Sequence, residues 1–177
     1  CLQMFEDDQD SRDEWQSALS RGLDLLGIRY EERDAPFSGA SGVTHPLISE
    51  SVTQFQAQAY KELLPASGPV RTSIVGLETP ETVDQASRVE NFMNYYVMEV
   101  MEEYDPDMDQ MLFYLPLSGS TFKKIYFDHI RGRAVSKFVP AEDVVVPYSA
   151  TDLRTAERIT HVTKMTENDI RRLQVSR

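Results

Sequence analysis

Asp105, Asp107 and Asp109, in the stretch DPDMDQ, begin the way a calcium loop begins, with an acid at every second position. Such a loop also needs a glycine at its sixth position and a bidentate acid at its twelfth. Gln110 and Pro116 stand there instead. Acids at the start of a helix, facing the positive end of its dipole, account for the cluster better. The enzymatic alternative these acids leave is a metal-dependent nuclease, in which carboxylates hold the ion that activates water.

The stretch LPLSGSTFKKIYFD (115–128) sets hydroxyls and a glycine ahead of two lysines, as a phosphate-cradling loop would. A phosphate loop needs a second glycine five residues away, and Gly119 has none. Lys123 and Lys124 also fall inside an alternating strand pattern, so the stretch reads as the bend where a helix hands over to a strand. Gly39-Ala40-Ser41-Gly42-Val43 comes within one residue of a nucleophile elbow, but Val43 replaces the closing glycine and no strand leads in. His45, His129 and His161 are far apart and form no ligand pair. His45, before Pro46, reads as a capping residue. The aromatics and methionines of residues 92–127 stand among carboxylates rather than cations, which suits packing better than base stacking. The residues therefore offer no catalytic, metal or cofactor set, and the expectation is a protein that is not an enzyme.

These side chains must be carried by an α+β chain, helices first and a small, mostly antiparallel sheet later. Residues 1–10 read as an acidic, irregular lead-in. The body runs over 11–177, with helices to about 120, strands over about 121–166 and a closing helix from about 167. Ser11 with Glu14 predicts a capping box, followed by the stripe Trp15, Ala18, Leu19, Leu23 and Leu26. Residues 31–43 are a turn-rich loop. Ile48, Val52, Phe55, Ala59 and Leu63 mark a second helix, and VRTSIV (70–75) reads as a strand. Thr79 and Pro80 open the longest helix, striped by Ala86, Val89, Met93, Val97, Val100 and Tyr104. Asp105 and Pro106 restart another. FKKIYFD and AVSKFV form a hairpin, EDVVVPY and ERITHVTKM supply two more strands, and Thr166 with Asp169 caps the last helix.

The 177 residues fit one domain or part of a larger one, and the start at Cys1 and stop at Arg177 suggest a piece of a longer product. The one cysteine forms no internal disulfide, and no apolar run approaches the ~20 residues of a membrane span. Net charge is −11, unevenly spread: residues 1–122 hold 7 basic and 22 acidic side chains, and residues 123–177 hold 11 and 7. Between Arg88 and Lys123 there is no basic residue at all. Tight nucleic-acid binding rests on Lys and Arg against phosphate, so this chain is a poor gripper of DNA.

Three blocks in order carry a resemblance: PFSGASGVTHPLISESVTQFQAQAYKELLP (36–65), DQMLFYLPLSGSTFKKIYFD (109–128) and FVPAEDVVVPYSATDLRTAERITHV (138–162). Together they resemble the N-terminal wing region of portal proteins of short-tailed tailed bacteriophages, over roughly Asp13 to Gln174. The resemblance implies a structural subunit of a ring, usually of twelve copies, at one vertex of the virion capsid, assembled in the host cytoplasm. Through such a ring the terminase motor pumps double-stranded DNA without reading its sequence. Tail adaptors, scaffold and major capsid protein are its other partners, and no membrane or cofactor is involved. Another head–tail protein, an adaptor or capsid subunit, is the nearest structural alternative. Stem, clip and channel residues are expected beyond Arg177.

A ring needs two different faces of each subunit to meet. The acids Glu99, Glu102 and Glu103 and the bases Lys123, Lys124, Arg131 and Arg133 are opposite in sign and could complement each other between neighbours, setting register. Two independently solvated faces are the other reading.

Overall fold

A computed structural model describes residues 2–27, 37, 45–129 and 131–175. The turn-rich segment with Gly39, Ala40, Ser41, Gly42 and Val43 lies outside them, as does Cys1. The chain is α+β, with five helices before the first strand. They are α1 (Leu2–Asp10), α2 (Asp13–Leu26), α3 (Leu47–Leu63), α4 (Pro80–Tyr95) and α5 (Tyr104–Ser118). Strands β1 (Phe122–Asp128) and β2 (Arg133–Val139) follow, then the short pair β3 (Val144–Val145) and β4 (Thr160–His161), and finally α6 (Glu167–Val175).

Residues 2–10 are helical, not an irregular lead-in. Their apolar side chains do not make the helix stick, since Leu2 and Met4 stay exposed. An ion pair does: the buried Asp8 accepts from Arg158 at 3.0 Å (Nε) and 2.9 Å (Nη2). Ser11 donates to the Asp8 carbonyl at 2.7 Å rather than capping α2, whose first turn lacks a side-chain cap. α3 begins at Pro46 without a side-chain cap, so His45 lends its carbonyl to Leu47 and not its imidazole.

Thr79 caps α4 as its sequence predicts, in a reciprocal box whose second member is Thr82. α4 runs straight into a π-helical segment, Tyr96–Val100, closed by Met101 N–H on the Tyr96 carbonyl at 3.0 Å. α5 ends three residues after Pro116, at Gly119, whose left-handed φ of 76° favours glycine. Ser118 Oγ lies 2.7 Å from the Ser120 carbonyl, completing the bend into β1. That stretch is a helix terminus feeding a strand.

β1 and β2 form an antiparallel hairpin from Phe122↔Val139 to Asp128↔Arg133, with Gly132 at φ 64° in the turn. The core lies where α5 meets α3, α2 and β2: Leu19, Val52, Leu112, Val135, Val139 and Val145 are buried. No residue of α4 is buried. Residues 70–75, predicted as a strand, pair with no strand. Asn94 instead receives Val70 N–H at 2.9 Å and donates to its carbonyl at 3.0 Å, and Glu90 accepts from Thr72. Gly68 makes this clamp possible, because a Cβ there would meet the Asn94 side chain at 2.4 Å. A strand needs a partner, and the side chains of α4 take its place here.

Candidate functional site

Of the seven charged residues singled out by sequence, Glu103, Arg131 and Arg133 come together in ion pairs within the chain. Glu103, on the turn before α5, meets Arg133 Nη1 at 2.9 Å and Nη2 at 2.7 Å, and accepts from Ser136 N–H at 3.3 Å. Arg131 approaches the same carboxylate at 3.9 Å. Glu103, Arg131 and Arg133 therefore pair within the chain. Opposite charges sort into the nearest geometry available, and the hairpin turn lies beside the start of α5.

Arg133 holds the Glu103 carboxyl below its ordinary value of 4.5. The folded pKa is thus lower than the unfolded one, so the pair's stabilisation is present above about pH 4.5 and fades as pH falls through the folded value. Glu103→Gln is expected to lower the melting temperature near neutral pH and to flatten its decline on the acid side. Thermal unfolding across a pH series checks this; parallel curves would show that Glu103 titrates alike in both states. Asp8, depressed by Arg158, Glu90, depressed by its hydrogen bonds from Thr72, and Asp169, depressed by those from Thr166, contribute to the acid slope that remains.

Lys123 lies 3.7 Å over the Tyr104 ring, its Nζ buried without a hydrogen-bond partner. Desolvation pushes its pKa down, opposed by Asp107. Lys124 stays exposed, 3.4 Å from His161 Nδ1. Glu99 and Glu102 are exposed as well. The three aspartates of α5 face different partners. Asp105 accepts from the Tyr60 hydroxyl, Asp107 from Phe138 N–H at 2.7 Å, and Asp109 from Gln56 Nε2 at 2.6 Å. Among the described residues no three His, Cys, Asp or Glu side chains converge as metal ligands.

Sequence reasoning overlooked Arg12. This buried guanidinium donates to the carbonyls of Ala141 (3.2 Å), Glu142 (2.7 Å) and Val144 (3.0 Å), clasping the turn before β3. Beside it a groove of about 220 Å³ is lined by Trp15, Phe122, Val144, Pro147 and Tyr148. Trp15 anchors α2 by donating to the Ser118 carbonyl at 3.0 Å. No signal marked Arg12, because its acceptors are main-chain atoms that any residue supplies.

The apolar residues left outside are as telling as the charged ones. Val83, Val89, Phe92, Met93 and Tyr95 on α4 are exposed, as are Val75 and Leu77 before it and Ile125, Tyr126 and Phe127 on β1. Ile170, Leu173 and Val175 on α6 are exposed too. Among the described residues no helix is long and apolar enough to cross a membrane. Compared with models of known protein families and with curated proteins, the chain finds no match.

Proposed function

We propose that this chain is the wing portion of a phage portal subunit, a non-catalytic wedge that coheres with copies of itself in a ring at a capsid vertex. The observation that carries the reading is the apolar surface left open among the described residues. α4 exposes Val83, Val89, Phe92, Met93 and Tyr95, β1 exposes Ile125, Tyr126 and Phe127, and α6 exposes Ile170, Leu173 and Val175. Contiguous apolar faces of this kind mark surfaces made for contact. The order of the three sequence blocks supports the same reading.

In this proposal the ring has twelve copies, sits in the virion and is assembled in the host cytoplasm. It passes double-stranded DNA without sequence-specific grip, and terminase, tail adaptors, scaffold and major capsid protein dock on it. The net charge of −11 suits a wall that DNA slides past rather than one that holds it. Electron microscopy of the complete gene product is expected to show a closed twelve-fold ring with a channel wide enough for duplex DNA. A product that stays monomeric wherever particles assemble overturns the reading. So does magnesium-dependent DNA cleavage that disappears in Asp107→Ala.

A further inference from the structure

Among the described residues, two parts of the chain have strand chemistry and an edge with no strand against it. The first is the segment before α4, SIVGLE (73–78). It runs on from the Asn94 clamp with a bend at Gly76, makes no hydrogen bond to any other described residue, and leaves Val75 97% and Leu77 84% exposed. The second is β1. It belongs to a two-stranded sheet, so its edge away from β2 carries no strand among the described residues, and Ile125 is 71% and Phe127 55% exposed. An open edge flanked by apolar side chains is a template for another strand.

We propose that residues 74–78 of one copy add as an antiparallel strand to the free edge of β1 in the next copy. The contact rests on the self-assembling reading above and supplies one of its interfaces. The register follows from side-chain chemistry. With Leu77 opposite Ile125, Val75 falls opposite Phe127 on the same face, and Glu78 falls opposite Lys124 on the other. Gly76 then lies against Tyr126, where its missing side chain leaves the ring room. A parallel arrangement pairing Val75 with Ile125 and Leu77 with Phe127 brings Glu78 to Asp128, two like charges. A slip of one residue turns the apolar pairs to opposite faces. Gly76, at φ 115° with open space around it, crosses to extended backbone without a Cβ penalty.

The contact is heterologous: a donor segment on one side of the subunit and an acceptor edge on the other. It therefore propagates from copy to copy, and gives a ring where the rotation between copies closes. Lys124 remains available for it, because its neighbours in the chain are the His161 ring nitrogen and the Tyr126 ring, not a carboxylate.

The test is made on the complete gene product with its native cysteines, Cys1 among them, replaced by serine, carrying Leu77→Cys and Ile125→Cys. Mild oxidation is expected to turn most subunits into covalent multimers on a non-reducing gel. Either single variant alone stays uncrosslinked, and Leu77→Cys with Tyr126→Cys, one residue out of register, gives far less. Glu78→Lys is expected to reduce the assembled fraction, and adding Lys124→Glu to restore it. Rings that assemble normally but fail to crosslink overturn this contact and leave the ring reading standing. An intramolecular disulfide in a monomer, or a protein that never assembles, overturns both.

Discussion

Arg12→Ala is expected to cost about 1–3 kcal/mol of folding stability, a sizeable part of what a domain this size possesses. The side chain is only 7% exposed, and its three main-chain acceptors belong to one turn. Truncation leaves those carbonyls without their donor, and water entering from the adjacent groove replaces the planar fork only in part. It also unties α2 from the β3 turn, 129 residues apart in the chain. Arg12→Lys is expected to recover a minor share, since a point ammonium cannot span acceptors that a planar fork reaches together. Urea unfolding measures this as a shift in midpoint at constant slope. A shift below about 1 kcal/mol would mean that the turn holds itself.

Leu112→Ala is expected to cost about 2–5 kcal/mol, because the residue is 2% exposed where α5 meets three other elements and the vacated space cannot collapse. Val89→Ala and Phe92→Ala on α4 are expected to change monomer stability by no more than about 0.5 kcal/mol, as for ordinary surface positions. The contrast, read in the same denaturation experiment, separates apolar residues that build the subunit from those left over for contact. A cost at Phe92 comparable to that at Leu112 would place α4 in the core after all.

Local chemistry made much of the framework legible. Helical spacing found α2, α3, α4 and α5, and alternation found the hairpin. Thr79 and Thr166 announced their helices: the Asp169 carboxylate meets the Thr166 hydroxyl at 2.6 Å, as the cap predicts. What stayed hidden depends on residues far apart in the chain. α1 has no apolar stripe to reveal it, because it is held by Asp8 and Arg158, 150 positions away. Residues 70–75 have a strand's pattern without a strand's neighbour, and no local signal tells the two apart. The charged cluster was visible residue by residue. Whether Glu103 meets an arginine of its own copy or of the next depends on the packing of a hairpin against a helix, which charge counts do not contain.

The π segment joining α4 towards α5 has a bearing on descent. One surplus residue per turn accommodates an insertion without breaking the helix, and deleting a codon within 97–100 would let the wider turn relax to an ordinary one. Everything N-terminal to it would keep its facing but draw in by about 1.5 Å along the axis. The shortening would strain the hold of Tyr96 on the Ala134 amide, now 3.0 Å from the hydroxyl, and carry the donor segment ahead of α4 with it. Kindred genes are therefore expected to keep the length of this passage fixed while its letters drift.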